Sequence, residues 1–230
     1  MMIKKQPKSW NEESKILLVD KPYGWTSNDV VRYLKFHVRY KKVGHAGTLD
    51  PLATGLLIIG TNKCTKDLND LLHVDKSYLV TIKFHYASNT FDLDTNQVNC
   101  YLNELPINKE ELINALNYFT SLNPYLQIPP KFSAIKINGQ KAYDLARNNI
   151  EFKLTPKQVK LYQFHDLIFD EIKQECTFNI ECSGGFYVRS LVNDLATKLN
   201  THAVLIALRR TKVGPYSLND SHIITIKKED

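Results

Sequence analysis

Two periods organise the apolar positions of this chain. Tyr78, Val80, Ile82, Phe84 and Tyr86 alternate with Ser77, Leu79, Thr81, Lys83 and His85, the period of a long half-buried strand. Elsewhere the spacing is helical. Val31, Leu34 and Val38 recur after Ser27 or Asn28, either of which can cap a helix with Asp29 in its first turn. Asn108 and Glu111 stand at capping-box spacing ahead of Leu112, Leu116 and Phe119, and Leu191, Leu195 and Leu199 repeat every fourth residue. Strand patterns are also expected in KILLVDKP, VKLYQFHDLIFD and KQECTFNIEC, with a turn or short strand around RRTKVGPYS. Three prolines and the pair Asn138-Gly139 mark residues 124–150 as a long ordered surface excursion.

The irregular mixing of strands and helices predicts an α+β fold with a mixed, largely antiparallel central sheet flanked by helices and loops. No internal repeat or linker divides the chain. Residues 1–14, polar and charged, read as a loosely held tail, and residues 15–230 as one domain.

With 230 residues, 43% of them hydrophobic, the chain can bury a substantial core. A net charge of +6 leans toward a polyanionic partner without deciding it. Arg32, Lys35, Arg39, Lys41 and Lys42 form one basic cluster and Arg209, Arg210 and Lys212 a second; each reads as a phosphate contact or as a solvated face. The four cysteines form no CxxC pair and no zinc-finger spacing, so neither a metal nor a disulfide is expected. An apolar leader or spanning run is also absent from the pattern, which predicts a cytoplasmic protein without membrane contact.

The stretch KKVGHAGTLDPLATG, residues 41–55, concentrates candidate chemistry. Asp50 precedes Pro51, which disfavours a helical backbone there. Gly44, Gly47 and Gly55 permit unusual dihedrals or the close approach of a ligand. Taken alone, such an aspartate reads as an Asx-turn before it reads as a catalyst, and His45 as a polar loop histidine without metal partners. Arg189, after a di-glycine and two aromatics in GGFYVRSL, could hold a carboxylate ionised through a bidentate pair.

In one order the chain carries DKPYGWTS, KKVGHAGTLDPLATGLLI, KSY, IPPKFSAIKINGQKAYDLAR, GGFYVRSLVNDL and LRRTKVG. This set, spread over roughly residues 15–217, resembles the TruB-type tRNA pseudouridine synthases. The resemblance implies the pseudouridine synthase fold and the isomerisation of a uridine in RNA to pseudouridine, without a cofactor. It implies Asp50 as nucleophile, Arg189 as its ionic partner, and Tyr78 as the ring stacked on the target base, with a possible part in removing the C5 proton. Tyr187 and Leu208 would close the base pocket, and His45 would fill the space left by the flipped uridine. Lys21 would support RNA or the active site, and Lys41 and Lys42 would face phosphates. The expected partner is the T arm of tRNA, modified at uridine 55 by a monomer with no obligatory protein partner and no C-terminal PUA domain. The alternatives are a guide-dependent member of the same family or a tRNA-folding chaperone. Departures from the family pattern fall at His85, Asn89, Thr95, Gly184 and Phe186, whereas Thr90, Asp92 and Asp94 persist.

Overall fold

A computed structural model describes residues 10–93, 97–220 and 222–226. Its frame is a sheet of nine strands. Along the described residues the strands are β1 (Ile16–Lys21), β2 (Val43–Ala46), β3 (Ala53–Thr61), β4 (Lys76–Phe84), β5 (Tyr86–Ser88), β6 (Val98–Cys100), β7 (Tyr125–Gln127), β8 (Lys136–Ile137), β9 (Gln140–Lys141), β10 (Lys157–Val159), β11 (Leu161–Asp170), β12 (Glu175–Cys182), β13 (Ala203–Val213), β14 (Tyr216–Ser217) and β15 (Ile223–Thr225), of which β5–β6, β7–β10 and β8–β9 form separate pairs. The main sheet runs β11-β12-β4-β13-β3-β1-β15, with β2 added to β3 and β14 to β13. Only the β13–β3 and β1–β15 pairs are parallel, so the sheet is mixed and largely antiparallel, as the order of elements predicts.

Four helices, α1 (Ser27–Phe36), α2 (Lys109–Ser121), α3 (Ala142–Arg147) and α4 (Val188–Lys198), flank this sheet. Helix α2 is built as its pattern predicts. Asn108 and Glu111 complete the capping box, and Leu112, Leu116 and Phe119 are buried. They pack with Leu191, Leu195, Val80, Ile82 and Phe84 in the principal core. On the opposite sheet face, Leu56 and Ile58 of β3 join Leu68 and Val213 in a smaller cluster. Because β3 buries both faces, its sequence is a continuous apolar run without alternation.

Several boundaries differ from the expectation. Thr26, one residue before the expected caps, closes the capping box of α1 with Asp29, and Ser27 instead points inward. The helix ends at Phe36, leaving Val38 outside it and exposed. His85 takes φ +66°, which stops β4 at Phe84 and assigns Tyr86 to the next hairpin. Of the segment read as a turn or short strand, residues 214–217 form a turn and the short strand β14 as expected, while residues 209–213 end β13, eleven residues long and central in the sheet. Of the expected tail, residues 1–9 lie outside the described residues, as do Asp94 and Thr95. Residues 10–14 are held: the Asn62 side chain donates to the carbonyls of Asn11 and Glu13, and the Thr61 hydroxyl donates to the Glu13 carbonyl. Among the described residues, no helix is long and apolar enough to cross a membrane.

Candidate active site

The loop joining β2 to β3 is pinned at nearly every residue. Gly47, at φ +78°, presents its carbonyl to Arg210 Nη2 at 3.1 Å. The Ser27 hydroxyl, at the start of α1, both donates to and accepts from the backbone of Leu49. Asp50 O accepts from Ala53 N at 3.0 Å, closing the turn. Pro51 O accepts from Gly24 N at 2.9 Å and from Lys21 Nζ at 3.4 Å. Gly55, at φ +97°, lies against β13; a Cβ there would stand 2.3 Å from Arg210 O. Close packing between strands, in place of the suggested approach of a ligand, is what requires this glycine.

This leaves the Asp50 carboxylate free of the turn and committed to Arg189. Nη2 of Arg189 reaches Oδ1 at 3.1 Å and Nε reaches Oδ2 at 2.9 Å, a two-pronged pair. The Arg189 side chain is only 6% exposed and Asp50 35%, so the carboxylate looks outward from a buried guanidinium. Arg189 is itself fixed: Nη1 donates to Thr90 O and Nη2 to Phe132 O, and Asp92 Oδ2 lies 3.6 Å from Nε. Asp92, 2% exposed in its side chain, accepts from the Thr90 hydroxyl at 2.6 Å. The start of α4 is locked by Gln127, whose side-chain amide accepts from Tyr187 N and donates to Tyr187 O.

The ion pair stands on a wall shared by two cavities. The inner one, about 270 Å³, is lined by Tyr78, Tyr187, Leu208, Lys76 and Arg210 as well as Asp50 and Arg189. The outer one, about 570 Å³, adds His45, Asn28, Asn89, Lys141, Tyr143 and Arg147. Tyr78 projects from β4 directly across from Arg210 of β13. Burial pushes its phenol up to about 12, against the pull of the Arg210 cation. Burial likewise raises the Tyr187 phenol and lowers the His45 imidazole. His45 sits on the edge strand β2 rather than in a loop, and its buried Nδ1 has no hydrogen-bond partner among the described residues.

Tyr78, Arg189, Tyr187, Leu208 and His45 therefore gather around Asp50, but two expectations change. Lys21 is fully buried, its ammonium donating to the carbonyls of Pro22, Trp25 and Pro51, so it supports the Asp50 loop and offers nothing to RNA. In the second basic cluster both arginines are engaged within the fold, while Lys212 is exposed. Arg209 forks onto Asp20 at 3.0 and 2.7 Å, and Arg210 is 1% exposed and donates to Leu56 O and Gly47 O. Lys41 and Lys42 remain exposed just before β2. Three groups at the site had no assigned place: Asp92, Lys76 and Ser133, the last lining both cavities. The alternation of β4 is the signal that points to Lys76, which stands two residues before Tyr78 on the same face of the strand. No group of three or more histidine, cysteine or acidic side chains among the described residues could hold a metal ion.

Both the sequence and the fold have counterparts among known proteins. Residues 35–188 match the sequence family described as TruB family pseudouridylate synthase, N-terminal domain. A protein of Ureaplasma urealyticum named tRNA pseudouridine synthase B is 46% identical over 206 residues, which cover 90% of this chain and 89% of the relative. A protein of the same name from Aquifex aeolicus is 40% identical over 89% of this chain and 70% of its own length. Among solved structures, a chain of a Cbf5-Nop10-Gar1 complex superposes with a TM-score of 0.71 at 25% identity, covering 94% of this chain and 53% of that one.

Proposed function

The chain belongs to the TruB family of pseudouridylate synthases, and from that premise we propose that it converts uridine 55 in the T arm of tRNA to pseudouridine, acting alone in the cytoplasm as a monomer and without a cofactor. The observation that carries this reading is the Asp50 carboxylate, gripped by Arg189 through both oxygens at the seam of the two cavities. A uridine within a folded arm is beyond reach of any side chain, so it has to leave the stack. The inner cavity offers the everted base the ring of Tyr78 and the apolar surfaces of Tyr187 and Leu208. The outer cavity offers the neighbouring nucleotides His45, Lys141 and Arg147, and His45 is suited to occupy the vacated place in the stack.

Asp50 acts as nucleophile on the bound nucleotide. Asp50 bonds to the nucleotide, the N1–C1′ bond breaks, the uracil turns, a C5–C1′ bond forms, and the bond to Asp50 breaks again, which returns the free carboxylate. C5 then loses its proton and N1 gains one, so the reaction consumes and releases nothing besides the solvent proton. Arg189 keeps Asp50 ionised and aimed, while Tyr78 holds the plane of the base and presents its hydroxyl near the C5 side. Preference for tRNA rests on the relatives at 38–46% identity, all named for it. Incubation of the purified chain with unmodified tRNA transcripts, followed by carbodiimide mapping of pseudouridine, should give one stop at position 55. Modification elsewhere, or only after a guide RNA or a second protein is added, would overturn the stand-alone reading.

A further inference from the structure

Four buried side-chain polar atoms lack a hydrogen-bond partner among the described residues: Arg39 Nε, His45 Nδ1, His85 Nε2 and Ser133 Oγ. Two of the four, in His45 and Ser133, belong to residues lining the cavities at Asp50. Ser133 is the more enclosed of these two, at 5% exposure. Its backbone leaves it little freedom. The preceding carbonyl, Phe132 O, accepts from Arg189 Nη2 at 2.9 Å, and Ser133 O accepts from Tyr143 N at the start of α3 at 3.1 Å. The Tyr187 phenol interacts with this hydroxyl without making a hydrogen bond of ordinary length and angle, so a buried hydroxyl on a fixed backbone keeps capacity for a group that enters the site.

The position of Ser133 narrows what that something is. Six residues line both cavities: Thr48, Leu49, Asp50, Ser133, Ala134 and Arg189. Asp50 and Arg189 engage each other, and Thr48 is exposed to solvent, which leaves Ser133 as the enclosed polar group of the seam. If the base enters the inner cavity and the flanking strand crosses the outer one, the sugar that joins them lies at this seam. Groups that read the base would line the inner cavity alone. Phosphates are already matched by Lys141 and Arg147 of the outer one. A serine hydroxyl both donates and accepts, as the ribose 2′-hydroxyl does.

We infer that Ser133 Oγ hydrogen-bonds the 2′-hydroxyl of the target uridine and so helps this site distinguish RNA from DNA at the modified nucleotide. The inference rests on the proposed function. Its test uses two T-arm RNAs that differ only in carrying a 2′-hydroxyl or a 2′-hydrogen at the target, each given to the wild-type chain and to Ser133→Ala. The ratio of single-turnover rates for the two RNAs should change about fivefold between wild type and Ser133→Ala, the value of one neutral hydrogen bond, because the intrinsic effect of the 2′-substituent on the glycosidic bond is common to both proteins and cancels. The same ratio retained by Ser133→Ala would overturn the inference. Each ratio is taken within one protein sample, so a loss of folded fraction cancels. Should either protein turn over neither RNA, the ratio of equilibrium affinities for the two RNAs answers the same question. Absence of turnover in wild type with that ratio present would count against the proposed reaction and leave the Ser133 contact standing.

Discussion

Tyr78 is a phenol enclosed with two cations. Lys76 shares its face of β4, and Arg210 is its register partner on β13. Burial lowers the Lys76 ammonium to about 8 and pushes the Tyr78 phenol up to about 12, so at neutral pH the tyrosine keeps its proton. The consequence for stability has a definite sign. Between pH 10, where an unfolded tyrosine titrates, and pH 12, the folded chain holds a proton that the unfolded chain has released. Stability therefore falls through this window as pH rises. Urea denaturation should show wild type losing more stability between pH 10 and 12 than Tyr78→Phe does. Parallel losses would mean that Tyr78 is solvated and open, which would weaken its assignment as a rigid platform for the base.

Elements differ in how plainly the chain announces them. Helix α2 is legible because everything that makes it is local: Asn108 and Glu111 satisfy its first amides, and one stripe of apolar residues faces the sheet. Strand β13 is not, because it is central. With neighbours on both edges and partial burial on both faces, its residues show no clean alternation, and its paired arginines suggest a surface. Successive strand residues face opposite sides, so Arg209 and Arg210 could not share one environment; one reaches Asp20 and the other Gly47 O of the Asp50 loop and Leu56 O of β3. The site has the same division. Residue types alone left Asp50 as a turn former, since its partner Arg189 is 139 positions away, and only the motif resemblance paired them. The resemblance named several of the side chains that face the cavities, while Lys76, Asp92 and Ser133, which line them as well, had no assigned role until the fold placed them there.

Across the whole molecule, the net charge of +6 is less informative than where the positive charge remains free. Arg209 is paired with Asp20, Arg210 is interior, and Arg39 lies 5.1 Å from the centre of the Trp10 ring. Lys41 and Lys42 are exposed beside the strand that carries His45. Counterion release makes the salt dependence of RNA binding a count of phosphate contacts. Replacing Lys41 and Lys42 together by Gln should therefore reduce the slope of log affinity against log salt by about 1 to 2, with single-turnover chemistry at saturating RNA unchanged. Arg209→Gln, matched in charge change per site, should leave the slope as it was. Equal slope changes from both variants would show that long-range charge, and not contact, governs binding.

One group joins these scales, the Asp50 carboxylate, set in a pinned loop, oriented by Arg189 and opened to two cavities. Release of tritium from T-arm RNA labelled at C5 of the target uridine reports the proton lost when the base is rejoined. Wild type should release it in step with pseudouridine formation, and Asp50→Asn, which keeps the shape of the side chain but removes the nucleophilic charge, should bind the RNA and release none above background. Release by Asp50→Asn at a rate near that of wild type would contradict the account.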